Sequence, residues 1–267
     1  MGVLNVTPDS FSDGGLYATV DAAVARGLDL MAAGADVVDV GGESSRPGAE
    51  PVPADVELGR VVPVVEALAA AARIDGRGVR VSVDTVKPEV AAAALVAGAT
   101  LLNDISASLH QVAAAAGAGW VAMHMRGHPR TMQDDPQYAD VVGEVAAFLV
   151  ERAELGLAAG VGEVWIDPGI GFGKTASHNL SLLRHLDTLV EAAAGAGCAG
   201  VVVGTSRKRF LGVLAAASGA EGPAPVADRA EGSLATEAAA LVAGAGMVRV
   251  HDVAATAQMT RLYGPAA

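Results

Sequence analysis

The sequence is short of cysteine, of aromatic residues, of positive charge and of long apolar runs. Each shortage excludes something. A single cysteine, Cys198, permits no internal disulfide and no cysteine-built zinc site. Its neighbours are apolar residues and glycine, which predicts a buried core thiol. Aromatics are 3% of the 267 residues while glycine reaches 33, so Ala, Val and Leu must build the core and turns must be tight. Lys plus Arg number 18 against 30 Asp plus Glu, a formal net charge of −12, and the pI is about 4.8. Duplex-binding proteins are normally basic, so nucleic acid and anionic membrane surfaces are not the expected partners. An anionic small substrate would need a local basic cluster. No apolar run approaches the roughly 18 residues of a membrane span. The first basic residue is Arg26, so no basic leader region is visible, and the expected location is the cytoplasm.

What is present is apolar and periodic. Hydrophobic residues make up 52% and charged residues 18%, with mean hydropathy +0.40. That excludes a disordered chain. Short β-branched runs alternate with longer alanine-rich amphipathic ones. Strands are predicted at 2–6, 37–40, 79–83, 101–102, 120–123, 164–166, 201–203 and 247–250. Helices are predicted at 20–33, 55–72, 88–97, 111–116, 141–159, 180–194, 231–243 and 253–263. Strands alternating with helices imply a parallel α/β sheet with crossovers. Eight repeats in this length predict one single-domain (β/α)8 TIM barrel over 1–267, with an open doubly wound sheet as the alternative.

The strand ends are more telling than the strands. Asn5, Glu43, Asp84, Asn103 with Asp104, His124 and Asp167 close the first six. Ser206-Arg207-Lys208 follows the seventh, and Arg249, His251 and Asp252 end the eighth. In a TIM barrel such positions converge on one face, where active sites sit. Any single one is explained as well by a helix cap or a polar rim; eight together point to an enzyme site.

Three patterns sharpen this. Gly169 to Thr175 resembles a phosphate loop, but Pro168 stands where a Walker motif needs its first glycine. The glycines are expected to shape a tight loop with Phe172 projecting. His124 and His128 have the spacing of helical zinc ligands, yet Gly127 and Pro129 argue against a helix there, so no metal is expected on that pair. Ser206-Arg207-Lys208 with Arg46, Arg249 and His251 are expected to form the basic cluster that an anionic leaving group needs. Asp84, Asn103 and Asp167 suit a flat polar heterocycle with a guanidine-like edge better than a metal.

With their flanks, these residues resemble the dihydropteroate synthase family along essentially the whole chain. The resemblance is carried by Asn5-Val6-Thr7-Pro8-Asp9-Ser10-Phe11, Gly41-Gly42-Glu43-Ser44-Ser45-Arg46-Pro47-Gly48, Ser82-Val83-Asp84-Thr85 and Asn103-Asp104-Ile105. Met123-His124-Met125-Arg126-Gly127, Asp167-Pro168-Gly169-Ile170-Gly171-Phe172-Gly173-Lys174, Ser206-Arg207-Lys208 and Arg249-Val250-His251-Asp252 complete the set. The resemblance implies a transferase of folate biosynthesis. It would join 4-aminobenzoate to 6-hydroxymethyl-7,8-dihydropterin diphosphate, releasing diphosphate.

The same resemblance implies roles for individual residues. Asp84, Asn103, Asp167 and Lys208 would hold the pterin. Asn5, Ser45, Arg46, Arg249 and His251 would hold the diphosphate, with Mg2+ near Asn5. Phe11, Ser45, Pro47, Phe172, Ser206 and Lys208 would shape the aminobenzoate pocket. Asp84, Arg46, Lys208, Arg249 and His251 would carry the chemistry. A homodimer is expected, and aminobenzoate mimics such as sulfonamides should compete. Two departures stand out: Ser45 replaces a usual threonine, and Ala107 replaces a usual glycine, which could alter the fourth loop. A non-catalytic pterin-binding paralogue and a methyltetrahydrofolate-dependent methyltransferase are the alternatives on the same barrel.

Overall fold

The computed structural model describes residues 1–7, 20–44, 50–128, 131–217 and 222–263. Strands and helices alternate as β1 (Gly2–Asn5), α1 (Val20–Ala32), β2 (Val37–Gly41), α2 (Ala54–Asp75), β3 (Arg80–Asp84), α3 (Pro88–Val96), β4 (Leu101–Asp104), α4 (His110–Ala116) and β5 (Gly119–Met123). They continue as α5 (Val141–Ala158), β6 (Val164–Asp167), α6 (Ala176–Arg184), α7 (Leu186–Gly195), β7 (Gly200–Val203), α8 (Arg209–Ala217), α9 (Ala230–Val242), β8 (Met247–Val248) and α10 (Val253–Tyr263). All eight strands pair in parallel and in chain order. A doubly wound sheet reverses its strand order at a switch point; this order never reverses. At the outer strands, Val3 N–H donates to Val250 O and Val250 N–H to Met1 O, both at 2.9 Å.

The two-residue period of a strand sorts its side chains onto two faces. Leu4, Val38, Val40, Val83, Leu102, Ile166 and Val203 belong to the larger core, which they share with helix residues such as Leu30, Leu68, Leu149 and Leu189. Val37, Leu101, Val121 and Val202 form a second, smaller cluster with Met1. Counting on by two from that cluster, and from Trp165 packed against it, reaches Asp39, Asn103, Met123 and Asp167. The register sets Asn5 beside Gly41, Gly41 beside Asp84 and Asp84 beside Asn103, with Asp39 one step beneath them and Met123 beside Asp167 one step above. The apolar cluster and the polar site thus lie along one face of the sheet.

Local signals set the element ends. Pro88 opens α3, where its missing N–H costs nothing. Asp140 caps α5, accepting from Val142 and Gly143 N–H at 3.2 and 3.1 Å. Three findings depart from the sequence reading. The helix expected over 180–194 is two helices that break at His185, and the first begins at Ala176 behind a Thr175 capping box. Helix α8 was not anticipated. Cys198 is half-buried rather than buried, and burial pushes its thiol pKa up.

Candidate active site

On the β2–β3–β4 side the site is built around a guanidinium. Arg249, just past β8, donates from Nε to Asp39 Oδ2 and from Nη2 to Asp84 Oδ2, each at 2.6 Å. Asn103 Nδ2 donates to the same Asp39 oxygen at 2.9 Å. Burial pushes Asp84 up to about 7 against the pull of Arg249, and the charges of Asp39, Glu57 and Asp104 add to the rise. Despite the penalty of burial, Asp39 and Asp84 hold the Arg249 pKa above its ordinary value. Asp39 is fully buried and was not singled out from the sequence. The signal was there: it is an acid inside the apolar run Val37-Val38-Asp39-Val40.

On the β6–β7 side the centre is Asp167. It is buried, and its Oδ1 accepts Gly169 N–H at 2.7 Å. Burial raises its carboxyl pKa although Lys208, Gly169 N–H and Arg249 pull the other way. The Lys208 ammonium donates to Ile170 O and stands 4.8 Å from the centre of the Phe172 ring. Burial lowers Lys208 to about 8 against the attraction of Asp167. Lys208 thus links Asp167, expected at the pterin, with Phe172, expected at the aminobenzoate.

The glycine-rich loop after β6 is held by close approach. Gly169 and Gly173 have φ of +63° and +62°. A Cβ on Gly169 would lie 1.8 Å from His124 O, and one on Gly173 would lie 2.2 Å from Arg126 O. Buried Lys174 fills the space behind the loop. Its Nζ lies 2.9 Å from His124 Nδ1 and 3.1 Å from both Gly169 O and Phe172 O. Burial and then the charge of Lys174 push His124 down to about 3, so the imidazole is neutral and can accept at Nδ1. Burial likewise lowers Lys174 to about 7. Lys174 was also missed from the sequence, because its main partner lies 50 residues earlier.

Other strand-end residues serve the frame. Asp104 accepts from Ser106, Ser108 and Leu109 N–H at 2.7–2.9 Å and from Trp120 Nε1 at 3.1 Å. Glu43 accepts from Val52 N–H at 3.3 Å and from Lys87, which also pairs with buried Glu57. Ser206 Oγ accepts from His251 N–H at 3.1 Å and lies 3.2 Å from its Nδ1. Arg207 turns outward to Asp252, at 3.1 and 2.5 Å. Ala107 adopts the left-handed backbone a glycine would take, with φ of +50°, and its N–H still donates to Asp104 O. The fourth loop keeps its anchor despite the substitution.

Asn5, Asp84, Asn103, Asp167, Lys208 and Arg249 thus stand at one end of the sheet, with Phe172 beside Lys208. Ser206 and His251 are paired there. Phe11, Ser45, Arg46 and Pro47 lie outside the described residues. His128 is exposed while His124 is buried beneath the loop. Among the described residues no group of three or more His, Cys, Asp or Glu side chains could hold a metal ion.

A family model for pterin binding enzymes matches residues 1–251. The chain is 46% identical over 273 residues to the dihydropteroate synthase of Mycobacterium leprae (strain TN), covering 99% of this chain and 92% of that one. The chain belongs to the dihydropteroate synthase family. Among solved structures of that family, Xanthomonas albilineans dihydropteroate synthase with 4-aminobenzoic acid is 46% identical at a TM-score of 0.85, covering 98% of this chain and 90% of that one. The same enzyme in complex with 7,8-dihydropteroate aligns at 42% identity and a TM-score of 0.81, covering 98% and 91%. The family match runs from Met1 to His251 and so takes in Asn5, Asp84, Asn103, Asp167, Lys208, Arg249 and His251.

Proposed function

We propose that this chain is a transferase that condenses 4-aminobenzoate with 6-hydroxymethyl-7,8-dihydropterin diphosphate to give 7,8-dihydropteroate and diphosphate. The observation that carries this reading is the set of Asp84, Asn103, Asp167 and Lys208 at the same ends of β3, β4, β6 and β7, within a chain of the dihydropteroate synthase family. Asp167 offers a buried carboxylate with one oxygen already held by Gly169 N–H. Its other oxygen suits the paired N–H edge of a pterin. Lys208 and Phe172 bound the adjoining aminobenzoate space.

The C–O bond between the pterin methylene and the diphosphate breaks, and its electron pair leaves with the diphosphate. Ionised Asp84 stabilises the cation left on the pterin. The aminobenzoate nitrogen then forms the new C–N bond and releases a proton. An arylamine is a weak nucleophile, so departure of the leaving group comes first, and no covalent enzyme intermediate is needed. Arg46 and Arg249 would supply positive charge, and His251 a hydrogen bond, where the diphosphate gains negative charge. By the family resemblance, Phe11, Ser45 and Pro47 would bound the aminobenzoate.

Mg2+ would come with the substrate, because this ion keeps several waters and takes one or two protein oxygens beside phosphate oxygens. The Asn5 side-chain oxygen, at the end of β1, is the protein group that would hold it. When bound, Mg2+ neutralises charge on the diphosphate.

At coarser scale, the bonds linking Met1 and Val3 to Val250 support a sheet closed into a (β/α)8 barrel. We propose a single domain over 1–267, a homodimer, and competition by sulfonamides for the aminobenzoate space. The site is tested by replacing Asp167. Asp167→Asn is expected to weaken pterin binding by calorimetry about tenfold or more, because it removes the charged acceptor of a buried N–H edge. Unchanged affinity would mean the pterin does not lie on Asp167.

A further inference from the structure

Asp39 is a fully buried carboxylate that the reaction above does not use. It sits on β2 one step beneath the layer of Asn5, Gly41, Asp84 and Asn103. Its Oδ2 accepts from both Asn103 Nδ2, at 2.9 Å, and Arg249 Nε, at 2.6 Å. Its Oδ1 is buried and has no hydrogen-bond partner among the described residues.

A carboxylate paired with a guanidinium only accepts hydrogen bonds. Only the NH2 end of the Asn103 amide can face it. A free asparagine could offer a ligand either end; this one has lost that choice. We infer that Asp39 is a positioning residue that turns the Asn103 amide so its oxygen is presented to the pterin. An Asn103 so fixed accepts from the N–H groups of a flat heterocycle and rejects a ligand that offers only acceptors there. The inference rests on the pterin reading of the site.

Asp39→Ser shortens the side chain and removes the oxygen that Asn103 Nδ2 and Arg249 Nε share. The Asn103 amide can then turn and offer its NH2 to the ligand, donor against donor. The test is calorimetric titration of the full chain with 6-hydroxymethylpterin. This probe lacks the diphosphate, so any effect passing through Arg249 to the leaving group is silent. Wild type, Asp39→Ser, Asn103→Ala and the double variant are compared. Each single variant is expected to bind about tenfold or more weakly. The double variant is expected to bind no more weakly than Asn103→Ala, because both changes remove one interaction. Wild-type affinity in Asp39→Ser, or losses that multiply in the double variant, would overturn the inference.

A second readout needs no ligand. The Asn103 side-chain NH2 signal, assigned by its loss in Asn103→Ala, is followed by NMR. It is expected to be slow to exchange in wild type and to move on Asp39→Ser, or on Asp39→Ala if the serine variant does not fold. A freely exchanging or unmoved signal would overturn the inference even if wild type bound no pterin, an outcome that would itself sink only the pterin reading.

Discussion

Asp84 carries the most direct consequence at the scale of a single residue. Its pKa lies near 7 instead of 3.8 because burial outweighs Arg249. Between those values the folded chain binds a proton that the unfolded chain has released. This group's contribution to stability is therefore present below about pH 4 and is lost as pH rises through about 7. Ligand-free unfolding at a series of pH values is expected to show that fall, and Asp84→Asn to flatten it. A wild-type slope unaffected by the substitution would contradict the assignment. The same ionisation matters for turnover: kcat/KM, which reports the free enzyme, is expected to decline on the acid side of pH 7, where Asp84 is neutral and no longer steadies a cation. At this scale the sequence was readable wherever a polar residue closed an apolar run, as at Asp84, Asn103 and Asp167. Asp39 hid inside its run. Lys174 hid because its role depends on His124, and no local pattern links the two.

Among the elements, the loop after β6 is the most constrained. Gly169 combines a left-handed φ with a backbone oxygen where its Cβ would be. Gly169→Ala is expected to destabilise the chain by about 2–4 kcal/mol, through backbone strain and forced displacement of the β5 end. Denaturant unfolding checks this. A loss under about 0.5 kcal/mol, the size of an ordinary surface change, would mean the loop is not held against β5. The tight loop was expected from its glycines and was found. The break between α6 and α7 was not, because the apolar period runs on through Leu183 and Leu186 while His185 leaves the helical region. Helix α8 went unread because its first residues, Arg209-Phe210-Leu211, follow directly on the Ser206-Arg207-Lys208 motif with no start signal between.

For the whole molecule, the alternation of strand and helix was enough to foresee a parallel sheet of eight strands, and the order without reversal is what that alternation produces. Closure lies beyond any local pattern, since it depends on residues at the two ends of the chain. If the sheet is closed, the Val3 and Val250 amides, each bonded at 2.9 Å across the seam, are expected to exchange with solvent as slowly as those of β4 and β5. Fast exchange at both would indicate an open edge.

The most direct test is chemical. The purified chain is supplied with Mg2+ and 6-hydroxymethyl-7,8-dihydropterin diphosphate, with and without 4-aminobenzoate, and both diphosphate and pterin products are measured. The expected result is diphosphate release matched one for one by 7,8-dihydropteroate only when both substrates are present. Tight pterin binding with no dihydropteroate formed would contradict a synthase and leave a pterin-binding protein that does not turn over.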